Sequence, residues 1–137
     1  MRALGIDFGT RRVGLALSDP TGTLASPYRT LERTTRQALF DDILAVVERE
    51  GVQMIVVGLP YGMDGQETLT TRQARNFAES LGRRTDVPIE FMDERLTSVE
   101  AEEELKSAGL RREKLKLALD AQAATVILRT WLESGRS

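Results

Sequence analysis

The apolar positions change rhythm along the chain. The N-terminal part reads as short runs. Ala3 to Phe8 is a first strand, Val13 to Leu17 a second, and Gly9 and Thr10 turn the chain between them, a hairpin signal with a glycine-containing loop. Asp19-Pro20-Thr21-Gly22 is turn chemistry. A weaker third strand spans Ser26 to Leu31. Pro27 cannot donate to a ladder, so this strand belongs at a sheet edge.

The pattern then becomes helical. Thr34 and Gln37 have capping-box spacing, Ala38, Leu39, Ile43, Val46 and Val47 follow the helical period, and Gly51 is the stop. Met54 to Leu59 is apolar without alternation, as in a parallel strand buried on both faces. A loop rich in Pro and Gly follows, and the stretch Tyr61 to Thr68 is expected to act as a flap. Thr70 and Gln73 repeat the capping-box spacing and open a second helix that ends near Gly82. Pro88 to Met92 is the next strand, ending in Asp93-Glu94-Arg95. Thr97 and Glu100 open a third helix that Gly109 closes, and Leu115 to Glu133 forms the last, stopped by Gly135.

The order β-β-β-α-β-α-β-α-α predicts an α/β fold with a mixed five-stranded sheet: a three-strand antiparallel meander, then parallel strands joined by crossovers and flanked by helices. No repeat, linker or low-complexity tract divides the chain, so residues 1–137 are expected to form one domain.

Composition narrows the chemistry. The chain has neither histidine nor cysteine. That removes serine–histidine hydrolysis, thiolate nucleophiles, disulfides and every His or Cys metal site. A formal net charge of −2 advertises no polyanion partner, so any nucleic-acid face must be local. No apolar run approaches the roughly 20 residues that span a bilayer. The chain enters a strand pattern at once, without a secretory apolar region, which predicts a cytoplasmic protein with no membrane partner.

Polar chemistry must then run on acids, bases and hydroxyls. Asp7 interrupts an apolar strand, and burying a lone charge is costly unless something neutralises it. Asp93 and Glu94 fall at the carboxyl end of a later strand, where ligands gather in open α/β sheets. Asp120 shares a helical stripe with Ala124, Ile127 and Trp131. Three acids from two strands and a helix describe an oxygen-ligand site for Mg²⁺ or Mn²⁺, and two such ions can activate a water for phosphodiester cleavage. Arg11, Arg12, Arg95, Lys106, Arg111, Arg112, Lys114 and Lys116 abut these acids, in position for phosphate contacts.

Four ordered motifs carry a resemblance: Gly5-Ile-Asp7-Phe-Gly-Thr-Arg-Arg-Val-Gly14, Val57-Gly-Leu-Pro60 with Met63-Asp-Gly65, Asp93-Glu-Arg-Leu-Thr97, and Asp120-x-x-Ala-Ala124-x-x-Ile127-Leu128. Over nearly the whole chain this resembles the YqgF, or RuvX, family of bacterial RNase H-like nucleases, relatives of the RuvC junction resolvases. The resemblance implies an RNase H-like fold and a divalent-metal nuclease maturing the 5′ end of the small-subunit ribosomal RNA precursor. It carries the family acids onto Asp7, Glu94 and Asp120, with Asp93 as the alternative to Glu94. Thr10, Arg11, Arg12, Arg95 and Lys116 become the expected substrate contacts. Gly62 stands where many members have Asn, and Ala123 where RuvC enzymes carry a second helix acid.

The leading expectation is cleavage of structured RNA by a monomer or homodimer. A resolvase of branched DNA keeps the chemistry and favours a dimer, because symmetric nicks need two sites. Gly-Ile-Asp-Phe-Gly-Thr also resembles the first phosphate loop of actin-like ATPases and sugar kinases, which need a second such domain. A non-catalytic RNA-binding protein is the fourth reading.

Overall fold

A computed structural model describes residues 1–94 and 112–134, the stretch 112–120 by its backbone alone. Strands β1 (Ala3–Phe8), β2 (Arg12–Ser18) and β3 (Ala25–Glu32) precede helix α1 (Arg36–Glu50). Strand β4 (Met54–Leu59), helix α2 (Leu69–Gly82), strand β5 (Ile89–Asp93) and helix α3 (Arg112–Ser134) follow. The sheet order is β3-β2-β1-β4-β5. β1, β2 and β3 pair antiparallel, while β4 runs parallel to both β1 and β5. This is the expected mixed sheet. The helix expected over Thr97–Gly109 lies outside the described residues.

Alternation along the strands builds two cores. Leu4 and Ile6 of β1, Val13 and Leu15 of β2, and Ile55 and Val57 of β4 face α1 and α2. Ala3, Ala16 and Val56 face the other way, onto Ala124, Ile127, Leu128 and Trp131 of α3. The stripe expected from Ala124 onward is therefore buried against the sheet. Small residues let α3 come close: a Cβ on Gly5 would lie 2.8 Å from Leu128 Cβ and 2.9 Å from the Ala124 carbonyl oxygen. Pro27 sits in the edge strand β3, opposite Ala16, where the pairing register shifts.

The last helix starts at Arg112, ahead of the expected Leu115, and the caps of α1 and α2 differ from the expected ones by one or two residues. Thr35, not Thr34, caps α1, its side chain accepting from the Ala38 amide at 3.1 Å. In α2 the capping box is Thr68 with Thr71, not Thr70 with Gln73. Thr71 also donates to the Pro60 carbonyl, which closes the β4–α2 loop onto the helix and fixes the choice. β5 likewise runs one residue further than expected, to Asp93.

Candidate active site

Strand alternation aims Asp7. Leu4, Ile6 and Phe8 of β1 lie on the α1/α2 side, so Gly5 and Asp7 face the α3 side. Immediately after Asp7 the chain turns. The Gly9 amide donates to the Arg12 carbonyl at 2.9 Å, and a Cβ on Gly9 would sit 2.6 Å from that same oxygen. Arg33, from the β3–α1 connection, clasps the turn from outside. One guanidinium nitrogen donates to the carbonyls of Gly9 and Thr10, each at 3.0 Å, and its carbon lies 4.5 Å from the Phe8 ring centre.

The neighbouring acids Asp93, the last residue of β5, and Glu94, the next residue, are likewise separated. Ile89 packs in the α1/α2 core and Met92 in the α3 core. Asp93 therefore points to the α1/α2 side, lining a hollow with Tyr61, Gly65 and Phe91. Glu94 points to the α3 side, 6% exposed, beside Gly58 and Ile127. There it is hydrogen-bonded to Asp7. Asp7 of β1 and Glu94, just past β5, thus meet across β4, over the one residue of β4 that lacks a side chain.

Burial is the main force on Glu94, followed by the hydrogen bond and charge of Asp7 and then the charge of Asp93. Together they push its carboxyl up to about 10. The pair consequently holds a proton at neutral pH. A proton-sharing carboxyl pair, Glu94 buried and Asp7 half-buried, fits a cation: all its donors are oxygen, and a divalent ion would take the place of the proton.

Asp7 and Glu94 open onto a cavity of about 280 Å³, walled by Gly9, Thr10, Pro60, Thr70 and Gln73. Of the expected substrate contacts, Thr10 lines this cavity. Arg11 is exposed in the turn, and Arg12 starts β2 opposite Glu32; neither is part of the wall. Arg95 lies outside the described residues. Lys116 and Asp120 belong to α3, with side chains outside the described set; along the backbone Asp120 falls one turn before Ala124. Gly58, Arg33 and the α2 wall were not singled out as site residues from the sequence. The glycine inside an otherwise unbroken apolar strand was the available signal. The expected flap is a turn bonded to itself: Gly62 donates to Gln66 O at 2.9 Å, Gly65 to Gly62 O at 2.8 Å, and Met63 is left fully exposed at its tip.

A mixed five-stranded sheet with paired acids at its rim is the architecture of RNase H-like nucleases. The chain belongs to the RuvX family, whose model, described as a Holliday junction resolvase, matches residues 1–134. A relative from Maridesulfovibrio salexigens is 59% identical over 96% of this chain and 98% of its own length, and carries the provisional name pre-16S rRNA nuclease. A relative from Anaeromyxobacter with the same provisional name is 45% identical over 97% of both chains. Among solved structures, Thermus thermophilus RuvC in complex with a Holliday junction substrate superposes with a TM-score of 0.61 at 15% identity, covering 98% of this chain and 96% of that one. The fowlpox virus resolvase with junction DNA also gives 0.61, at 9% identity and full coverage of both chains. These two likenesses report the fold. Among the described residues no helix is long and apolar enough to cross a membrane.

Proposed function

We propose that this chain is a single nuclease domain that cleaves the 5′ leader of the small-subunit ribosomal RNA precursor in the cytoplasm, using Mg²⁺ or Mn²⁺ held by Asp7, Glu94 and Asp120. The observation that carries the reading is the hydrogen-bonded pair of half-buried Asp7 and buried Glu94 at one rim of the sheet. The provisional name of the relatives supports RNA over DNA as substrate. When bound, the divalent ion supplies positive charge to the phosphate undergoing attack.

The protein's own groups do the rest. Asp7 and Glu94 give up their shared proton and hold their oxygens in place, Asp7 within β1 and Glu94 on the residue directly after β5. The Thr10 hydroxyl and the Gln73 amide face the cavity that admits the phosphate. Arg11, Arg12, Arg95 and Lys116 hold flanking phosphates, giving positive charge to a face of an otherwise slightly acidic chain.

The test is cleavage of a labelled precursor fragment and a four-way DNA junction, each with Mg²⁺, with Mn²⁺ and with chelator. Asp7→Asn, Glu94→Gln and Asp120→Asn should each abolish metal-dependent cutting of the RNA while keeping a cooperative thermal transition. Retained cutting in all three would overturn the assignment. The family description favours one second reading, a resolvase of branched DNA. It requires a homodimer and preferential cutting of the junction; a monomer in sedimentation would exclude it.

A further inference from the structure

A second cavity, of about 310 Å³, adjoins the catalytic one. Phe8 and Gln73 line both, so the two cavities share a wall. Its wall carries two arginines, Arg33 and Arg36, and no carboxylate, on a protein whose net charge is −2. Between the arginines stand Thr34 and Thr35, and across from them the amides of Gln73 and Asn76. The floor is aromatic: Phe77 stacks between Phe8 and Phe40, with ring centres 4.4 and 5.7 Å apart.

Both guanidinium groups are held in place before any ligand arrives. Arg33 is fixed by the Gly9 and Thr10 carbonyls and by Phe8. Arg36 donates to the Ser80 hydroxyl and lies 5.5 Å from the Phe40 ring centre. Fixing them in advance lowers the ordering cost of binding. Helix stability does not explain Arg36. It is the first residue of α1, whose first turn contains no acid, and a cation there opposes the helix dipole. The volume is at the low end of the roughly 300–1,000 Å³ of small-ligand pockets, which suits one nucleotide unit and nothing larger.

We propose that this cavity is a subsite for one nucleotide of the RNA strand being cut, on one side of the scissile bond. The phosphate sits between Arg33 and Arg36, and the base edge meets the Gln73 and Asn76 amides. The inference rests on the nuclease reading and adds a determinant of where the strand is cut.

The test measures binding without cleavage. Full-length protein in chelator is titrated into a fluorescein-labelled fragment of the precursor spanning the mature 5′ end, and into a nested series shortened one nucleotide at a time from either end. Arg36→Glu should weaken binding of the longest strand about tenfold and lower its salt slope by about one. Arg36→Lys should retain most of the affinity. The Arg36→Glu penalty should vanish once truncation from one end removes the nucleotide that fills the subsite. Asn76→Ala, at an exposed position, serves as a second variant independent of the Arg36 contacts; it should lose about threefold on the same strands only. Wild-type affinity in both variants, or a penalty equal at every length, would overturn the subsite. So would displacement of the long strand by micromolar adenosine monophosphate acting through Arg36, which would make this a free-nucleotide site. Wild-type cleavage is measured in parallel: its absence would sink the nuclease reading, while the length dependence still decides the subsite.

Discussion

A Cβ on Gly58 would lie 2.6 Å from Cγ and 2.8 Å from Cδ of Glu94. The missing side chain on β4 is therefore the space in which the β5 acid reaches Asp7. Gly58→Ala should cut metal-dependent cleavage by more than tenfold and cost about 1–3 kcal/mol of stability through overpacking. The same added carbon would also lie 2.6 Å from Ile127 Cδ1. Combining it with Ile127→Val should recover stability and leave activity low. Recovery of both together would show that Glu94 does not need the space.

The shared proton makes stability depend on pH in a defined direction. Glu94 is raised from 4.5 to about 10 on folding. Below 4.5 both states hold the proton; between the two values only the folded state does. Unfolding then releases a proton, so stability falls as pH rises through this window. In chelator, the melting temperature of the wild type relative to Glu94→Gln should decline steadily from pH 5 to about 9. A difference that stays constant across that range would contradict the shared proton.

A divalent ion entering the site must displace that proton. Calorimetric titration with Mg²⁺ or Mn²⁺ at pH 7, repeated in two buffers of different protonation enthalpy, should report about one proton released per binding event. Glu94→Gln should release none. Equal heats in both buffers for the wild type would mean the pair is already ionised.

Arg33 ties the turn after Asp7 to the start of α1. Arg33→Ala removes two exposed hydrogen bonds and a ring contact and should cost about 1 kcal/mol. Arg33→Lys, with a point charge in place of a planar group stacked on Phe8, should recover less than half of this in thermal melts. An unchanged melting temperature in the alanine variant would mean the turn holds itself.

Gly5 governs how closely α3 approaches the sheet. Gly5→Ala would press on the Ala124 carbonyl as well as on Leu128, and backbone cannot swing aside as a side chain can. It should destabilise by about 2–3 kcal/mol, read as a shift of the urea midpoint at unchanged slope.

These features were unevenly legible in the sequence. The hairpin around Gly9, the edge strand with Pro27 and the buried stripe from Ala124 to Trp131 each rest on local patterns, and local patterns could be read. Which of Asp93 and Glu94 meets Asp7 was not readable. β5 is five residues long and partly exposed on both faces, so it shows no alternation of apolar and polar positions to phase it. The helix starts were displaced because neighbouring threonines offer equivalent caps, and tertiary contacts choose among them; for α2 the choice falls to Pro60, through Thr71. Gly58 stands out in the sequence only as a glycine inside an apolar strand; what its missing side chain makes room for depends on α3 and Glu94, both later in the chain, folding onto it.

Since successive residues of β5 point to opposite faces, the identity of the buried acid is a matter of phase. Slipping this strand by a single position against β4 would withdraw Glu94 and present Asp93, a donor one methylene shorter, to the same partner across the sheet. Insertions and deletions in the short segment between Gly82 and Ile89 would act as a selector between two ligands of different reach, altering the centre without changing any residue that lines it.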